Sequence, residues 1–415
     1  MAQAATLSEP QVLAHTKRRL FRDDATESYA VVDTQFATEE WLPGQRVATA
    51  VRETLAPFNH VRIGQGYPDL VGVCALESDL VAVERVGSEP PLLVVEAKGH
   101  TADGTVDTER GILQAYDRLQ EANVAFLAAP SRAITETDRT LARELNVGVL
   151  GVDTEGTVEA LEVPRVVGAK STDPATAIRF QASAQGVADA SFGLNHPKNY
   201  LGYPLAHVTD QETAAALSAY DVVGATDDAR RGAAFLNLVA ERPSGVVLTP
   251  LGKEVVRFAR ERHGTVERAL ETFASWYRSR KRFVEESPAW GHLARRVVYD
   301  YPATKLLVTE LQAMHDDGLT DPSLVECLTY LHELHPTFSV ELFVRGDEAT
   351  RRRVLSEDGA LRTEALTDGS VYHSPTVFQL KAMLYHTGLL RERGAEPHRL
   401  DPTSDSWALR HPVLG

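Results

Sequence analysis

An apolar run, Leu92–Val95, passes directly into Glu96, Ala97 and Lys98, and this transition constrains the fold more than any other feature of the chain. Successive side chains of a strand point to opposite faces, so Glu96 and Lys98 lie on one face and Ala97 on the other. The apolar part predicts a buried strand. Its charged end predicts a polar site where that strand leaves the sheet.

Strand and helix patterns alternate around this run. A helix is predicted over 43–56, and the elements that follow are strands at Leu70–Leu76, Leu80–Val86 and Leu92–Val95, a helix at Thr108–Ala122, a strand at Val124–Ala129, a helix at Thr135–Leu145 and a strand at Val147–Val152. Strands that alternate with helices predict an α/β unit, and the later crossovers make its sheet mixed.

The rest of the chain is typical of short helices joined by loops. Helix-turn-helix-like patterns occur near 233–259 and 374–390, and a strand-like run over 246–248 gives the first of them a winged-helix style. We therefore predict a mainly helical C-terminal region. The predicted boundaries are an N-terminal arm without visible chemistry (1–34), the α/β domain (35–165), a linker (166–190), a winged-helix-like region (191–300) and a second helical region (301–415).

The composition excludes several classes of protein. The 415 residues are 43% hydrophobic and 24% charged, and no apolar run is long enough to span a bilayer, so a membrane partner is not expected. The N-terminal residues lack a signal-peptide pattern, which predicts a cytoplasmic protein. The two cysteines, Cys74 and Cys327, support neither a disulfide framework nor a zinc site. A net charge of −15 with few lysines resembles proteins of halophilic microbes.

A second carboxylate stands at the entry to another predicted strand. Asp69 precedes the apolar residues from Leu70, and it meets Glu96 and Lys98 if the two strands are neighbours. Carboxylate oxygens suit Mg²⁺, which polarises a phosphate and lowers the pKa of bound water. An adjacent lysine positions that water or stabilises transition-state charge. These are the parts of metal-assisted phosphodiester hydrolysis.

Pro68-Asp69, with Glu96-Ala97-Lys98 beginning 27 positions after the aspartate, resembles the motif of the PD-(D/E)xK nuclease superfamily over about residues 40–165. The resemblance implies a restriction-endonuclease-like mixed sheet flanked by helices, and an endonuclease that uses Mg²⁺ or Mn²⁺. It implies that Asp69 and Glu96 ligate the metal, assisted by the Val95 or Ala97 carbonyl. Lys98 then orients the attacking water.

Two further residues come from the same resemblance. Many members add a glutamate from the first helix, for which Glu53 is the candidate, with Glu40 behind it. Some carry a glutamine followed four positions later by a tyrosine on the next helix. This chain keeps the glutamine as Gln114 but has Arg118 in the tyrosine position, which leaves the subgroup open.

DNA is the expected partner, and its contacts are expected in the second half of the chain. Residues 1–170 contain 26 acidic and 16 basic residues, whereas 251–300 contain 7 and 11. Basic residues interleaved with aromatics suit phosphate contact and base stacking. A solvated helix face paired with neighbouring glutamates is the alternative. The candidate DNA-binding residues are Arg278, Arg280, Lys281, Arg282, Arg295 and Arg296.

The function that these patterns predict is a metal-dependent deoxyribonuclease in restriction or defence against foreign DNA. DNA repair is the next alternative. The domain could also be vestigial, in a DNA-binding regulator or in a subunit of a defence system with a methyltransferase, helicase or ATPase partner. Double-strand cleavage often needs two active sites, so a homodimer is a further expectation. The chain lacks the Gly-Lys-Ser/Thr ending of a Walker loop, which argues against ATP-driven translocation by this chain.

Overall fold

The computed structural model describes residues 6–22, 28–82, 90–166, 172–185, 193–242, 245–276, 281–356 and 358–412. The chain forms two compact units: the first contains Met1–Gly186 and Leu331–Ala365, and the second contains Val187–Tyr330 and Leu366–Gly415. These units differ from the predicted boundaries in two ways. The N-terminal arm is an integral part of the first unit, and the predicted 301–415 region is divided between the two.

The first unit is an α/β structure built on a six-stranded mixed sheet in the order β1-β4-β5-β6-β7-β8. Antiparallel pairing joins β1, β4 and β5, parallel pairing joins β5, β6 and β7, and β8 is antiparallel to β7. The strands are β1 (Tyr29–Val32), β4 (Leu70–Val73), β5 (Leu92–Ala97), β6 (Val124–Pro130), β7 (Gly148–Val152) and β8 (Val158–Glu162). A separate short hairpin consists of β2 (Glu40–Leu42) and β3 (Gln45–Arg46).

Helices cover both faces of this sheet. One core cluster packs α1 (Glu9–Leu20) against Leu93, Val95 and Ala97 of β5, and the other packs α3 (Thr108–Arg118) against Leu92 and Val94. Because both faces are covered, β5, β6 and β7 are buried along their whole length. The other helices of this unit are α2 (Thr49–Leu55), α4 (Glu136–Glu144), α5 (Asp173–Gln185), α15 (Pro336–Phe343) and α16 (Glu348–Val354).

A buried polar network ties α15 and α16 to the sheet of the first unit. The Glu341 carboxylate is fully buried and accepts hydrogen bonds from both terminal nitrogens of Arg351, at 2.9 and 3.1 Å. It also accepts from Asn59 Nδ2, at 2.6 Å, and from the Tyr29 hydroxyl. Every oxygen of this buried charge is therefore satisfied, as a stable buried ion pair requires.

The second unit is mainly helical. Its only strands among the described residues are the antiparallel hairpin β9 (Val239–Arg242) and β10 (Gly245–Leu248). Its helices are α6 (Pro197–Ala206), α7 (Thr213–Ala219), α8 (Thr226–Phe235), α9 (Pro250–His263), α10 (Val266–Phe273), α11 (Phe283–Glu286), α12 (Pro288–Asp300), α13 (Pro302–Asp316), α14 (Leu324–Leu334, ending in the first unit) and α17 (Ser374–His386).

The α/β sheet and the helical second region confirm the coarse prediction, and several details are corrected. The helix predicted over 43–56 begins only at Thr49, because the hairpin β2–β3 precedes it. Residues 80–82, at the start of the strand predicted at Leu80–Val86, form a bend and no strand, and 83–86 lie outside the described residues. Strands β1 and β8 were not predicted. Both cysteines are buried and free. No described helix is long and apolar enough to cross a membrane.

Candidate active site

The register between β4 and β5 brings the two predicted metal ligands together. Leu70 pairs with Val95 in antiparallel register, so the next step outward places Asp69 opposite Glu96. The Asp69 side chain turns back onto the neighbouring strand, where its Oδ2 accepts a hydrogen bond from the Ala97 backbone N–H at 2.6 Å. Asp69 is 4% exposed and Glu96 is 2% exposed. Two carboxylates therefore share one buried location at the ends of adjacent strands.

The surroundings of these two carboxyl groups raise the pKa of both. Burial, followed by the nearby Glu96 carboxylate, raises the pKa of Asp69 well above its usual range. Burial also raises the pKa of Glu96, and the positive charges of Arg118 and Lys98 oppose that shift. Carboxyl groups with shifted pKa values are frequent at functional sites, where residues are selected for function even when they lower the stability of the fold.

A third carboxylate reaches this site from the first helix. Glu9 opens α1, and its charge acts on Asp69, Glu96 and Lys98. Its own pKa is raised by burial, against the attraction of Lys98 and a hydrogen bond from the Gly99 N–H. A Cβ on Gly99 would lie 2.0 Å from the Glu9 backbone nitrogen. Only glycine at this position lets α1 approach so closely.

Lys98 continues β5 on the face that carries Glu96. Its backbone N–H donates to the Ala128 carbonyl at 2.8 Å, and its Nζ donates to the Ala97 carbonyl at 2.9 Å. The side chain passes under α3, where a Cβ on Gly111 would meet Lys98 Cγ at 3.0 Å. Lys98 is thus held by β6 and α3 beside the carboxylates, as the alternation along the strand predicts.

Arg118, which stands in the tyrosine position of the motif, binds Glu96 directly. Arg118 Nε donates to Glu96 Oε1 at 2.9 Å, and the two side chains are 8% and 3% exposed. The same guanidinium contacts Asp117 Oδ2 at 3.1 Å and the Ile63 carbonyl at 3.4 Å. A buried cation therefore already compensates one of the two predicted metal ligands.

Gln114 lies on the face of α3 between these contacts. Gly111, three positions earlier, packs on Lys98, and Arg118, four positions later, binds Glu96, so the helical repeat directs Gln114 to the same side. Its Oε1 is buried and has no hydrogen-bond partner among the described residues. An unsatisfied buried oxygen needs a donor or a cation, which is a feature of a site with a missing ligand.

Gln35 is a contact that the sequence did not indicate. It lies in a 3-10 turn after β1, and its Nε2 donates to Asp69 Oδ1 at 3.0 Å. Together with the Ala97 N–H, this bond fixes both oxygens of the Asp69 carboxylate. No local pattern around Gln35 indicates this role, because the contact depends on β1 pairing beside β4.

The glutamates predicted to join the site from the first helix stand at exposed positions. Glu53 is exposed on α2, and Glu40 is exposed in the hairpin β2–β3, where it accepts a hydrogen bond from Gly44. The reason is that α2 is the second helix of the unit, and its neighbours are α1 and the turn that contains Gln35. The glutamate that meets the strand ends is Glu9, at the start of the true first helix.

The predicted DNA-binding residues have several different environments. Arg282 bonds the Arg391 carbonyl, lies 3.3 Å from Glu285 and covers the Tyr385 ring. Arg295 donates to the Thr387 carbonyl at 2.8 Å, and burial lowers its pKa. Arg282 and Arg295 thus make structural contacts within the second unit. Lys281 is exposed, Arg296 is exposed and paired with Glu254 at 3.0 Å, and Arg278 and Arg280 lie outside the described residues.

The donor set fits a hard divalent cation. Within the described part of the chain, no group of three or more His, Cys, Asp or Glu residues stands in metal-binding geometry. Mg²⁺ usually takes only one or two carboxylates and keeps several waters, so Asp69 and Glu96 with a backbone carbonyl are a sufficient set. The raised carboxylate pKa values and the unsatisfied Gln114 oxygen agree with this fit.

Comparisons with known proteins provide no relative: no family model, curated protein or solved structure matches this chain.

Proposed function

We propose that the first unit is a Mg²⁺-dependent deoxyribonuclease of the PD-(D/E)xK type. The observation that carries this proposal is the convergence of Asp69, Glu96 and Lys98 at the adjoining ends of β4 and β5, with Glu9 beside them. A purely structural buried ion pair balances its charges, as Arg351 does for Glu341. This cluster is buried and has more carboxylates than cations, which is costly unless it holds a ligand.

Each residue has a defined role in the proposed reaction. Asp69 and Glu96 would hold the metal, which when bound supplies phosphate polarisation and a water of lowered pKa. The Ala97 N–H and Gln35 orient Asp69, and Arg118 orients Glu96. Lys98 presents an ammonium beside the carboxylates, where it can position the attacking water and stabilise charge on the transition state.

Gln114 and Glu9 would complete the site. The Gln114 oxygen is a hydrogen-bond acceptor for a water or a metal-bound water at the same location. Glu9 adds a further carboxylate beside the strand ends, and burial raises its pKa. Val95 and Ala97 offer the carbonyls of the strand, and that of Ala97 already accepts a bond from Lys98.

The second unit would contribute DNA binding. The second unit contains α8, the hairpin β9–β10 and α9 in this order along the chain. Helix α9 exposes Lys253, Arg257 and Arg260, which are spaced by four and three residues. Residues at this spacing share one face of a helix, so they form a basic stripe suited to a DNA backbone. This arrangement supports the winged-helix-like reading of residues 191–300. Restriction or defence is the role we favour, with repair as the alternative.

The decisive experiment is cleavage by the purified full chain. Single-stranded, double-stranded, methylated and branched DNAs are incubated with Mg²⁺, with Mn²⁺ and with EDTA at high salt. We expect metal-dependent cutting that Lys98→Ala lowers by at least about 10²-fold, since it removes a catalytic electrostatic contact. Lys305→Ala, an exposed lysine of α13, is the matched control and should cut normally.

One observation favours a second candidate, a DNA-binding regulator or defence subunit with an inactive nuclease domain. Arg118 already supplies a positive charge to Glu96 Oε1, so that carboxylate is compensated without metal. This alternative predicts DNA binding that does not respond to Mg²⁺, and no cleavage of any substrate in the panel. Cleavage that persists equally in Lys98→Ala would remove Lys98 from the proposed mechanism.

A further inference from the structure

A cavity of about 430 Å³ lies beside the candidate active site within the first unit. The turn after β1 forms one wall with Thr34, Gln35 and Thr38, and α16 with the segment that follows it forms the other. The volume is in the range of small-ligand and nucleotide sites. Its lining residues are Thr34, Gln35, Ala37, Thr38, Phe58, Arg351, Arg352, Leu355, Ser356 and Arg362.

Among the described residues, the lining contains three arginines and no carboxylate, and the three arginines differ in how their charges are paired. Arg351 is neutralised by the buried Glu341. Arg352 is half exposed, pairs with Glu348 at 2.6 Å and donates to the Ala37 carbonyl. Arg362 is exposed and donates to the Arg352 carbonyl at 2.9 Å, and no described carboxylate pairs with it. Of the charges that the described residues place on the cavity wall, that of Arg362 is thus the one without a paired carboxylate.

The cavity and the active site share one residue. Gln35 lines the cavity, and its Nε2 is also the donor that fixes Asp69 Oδ1. An anion in the cavity would consequently lie one side chain away from the Asp69 carboxylate. Successive phosphates of one DNA strand rise by only about 3.4 Å along the duplex axis, so one strand can extend from the active site into the cavity.

We propose that this cavity binds a backbone phosphate of the DNA strand next to the scissile phosphate, with Arg362 as the main cation and Arg352 beside it. The apolar wall of Phe58 and Leu355 would contact the adjoining sugar or base. Arginine suits this role because its planar fork donates two hydrogen bonds to a phosphate. The assignment rests on the proposed nuclease function and extends it by naming the substrate contact.

The test is equilibrium binding of fluorescent single-stranded and duplex DNA to the full chain in EDTA over a range of salt concentrations. Arg362→Ala should weaken binding about ten-fold and lower the slope of log Kd against log salt by about one, as expected for one lost phosphate contact. Arg362→Lys should keep the slope and part of the affinity. Arg353→Ala, an exposed arginine of α16 outside the cavity lining, is the control and should bind like the parent chain.

The outcomes separate this inference from the proposed function. Binding without cleavage that still depends on Arg362 supports the cavity while refuting the nuclease. Normal cleavage with unchanged affinity and slope in Arg362→Ala overturns the cavity assignment alone. Competition with a mononucleotide and with inorganic phosphate identifies the source of the anion: a variant that loses mononucleotide binding but retains DNA binding also overturns the assignment.

Discussion

The pair between Arg118 and Glu96 makes a strong prediction about stability. Arg118→Met keeps a long apolar stem on α3 but leaves the Glu96 carboxylate, 3% exposed, without its cation. Removing one partner of a buried pair costs about 3–5 kcal/mol. In a unit of about 220 residues each kcal/mol shifts the melting temperature by about 2–4 °C. We expect Arg118→Met to lower the melting temperature of the first unit by roughly 6–20 °C in EDTA.

Metal and pH should both modify this loss. A cation bound by Asp69 and Glu96 would replace the missing charge, and a ligand at a hundred times its Kd stabilises the folded state by about 2.7 kcal/mol. Arg118 opposes the burial that raises the pKa of Glu96, so its removal raises that pKa further. A carboxylate with a raised folded-state pKa loses stability as pH rises from its unfolded pKa through its folded pKa. The variant should therefore recover towards the parent chain as pH falls.

The assay is thermal unfolding of both proteins in EDTA and in excess Mg²⁺ between pH 5 and 8. Arg110→Met, an exposed arginine of the same helix, should melt like the parent chain. The double variant Arg118→Met with Glu96→Gln should regain most of the loss, because the uncompensated charge is gone. Equal melting of Arg118→Met and the parent chain in EDTA would refute the ion-pair reasoning. A deficit that Mg²⁺ leaves unchanged would refute the metal site.

Three further predictions concern other parts of the fold. Gly99→Ala should lower the melting temperature and abolish cleavage, because the new Cβ meets the α1 backbone at 2.0 Å, whereas Gly346→Ala, whose nearest contact is 3.8 Å, should do neither. Arg351→Met should destabilise the first unit by about 3–5 kcal/mol in urea unfolding, because it leaves a fully buried carboxylate unpaired, and a loss below 1 kcal/mol would contradict this. Burial, followed by the charge of its histidine neighbour, lowers the pKa of His196 to about 3, and burial lowers that of His386 to about 4. The unfolded chain therefore binds more protons than the folded chain below about pH 6.5. The free energy of unfolding of the second unit should fall by up to about 1.4 kcal/mol per histidine for each pH unit between 6.5 and 4. A melting temperature that stays constant between pH 7 and 5 would refute this.

The central strands were predictable because their pattern is local. Leu92–Val95 is apolar at every position, and the structure buries this strand on both faces, which is the condition under which alternation disappears. The common face of Glu96 and Lys98 follows from the same period of two. Strand β1 was missed because its four apolar residues, Tyr29–Val32, stand alone in a polar segment and become a strand only by pairing with β4.

Glu9 was missed although its helix has a recognisable start. Ser8 and Gln11 form a capping box, and Pro10 stands in the first turn. Val12, Leu13 and Leu20 then follow at helical spacing and are buried. These signals predict the helix. They do not predict its position on the sheet, which depends on the close contact at Gly99.

Contacts between distant segments were beyond the reach of local patterns. The segment Leu331–Ala365 folds with the first unit, where Glu341 receives bonds from Tyr29 and Asn59, roughly 300 residues earlier. A buried glutamate and a buried arginine ten positions apart resemble any exposed pair in the sequence. The burial of Glu341 and Arg351 depends on tertiary packing, which the hydrophobic periodicity of the sequence does not predict.

The arginine in the tyrosine position gains a physical meaning from charge balance. Three carboxylates, Glu9, Asp69 and Glu96, face two cations, Lys98 and Arg118, so the cluster has a formal charge of −1 when all five are ionised. A divalent cation changes this to +1, which complements the single charge of one phosphodiester. With tyrosine in place of arginine the same cation would leave the site neutral. The departure from the motif is therefore compatible with the proposed catalysis, because the site would carry a charge of −1 without metal and a charge that attracts a phosphodiester once a divalent cation is bound.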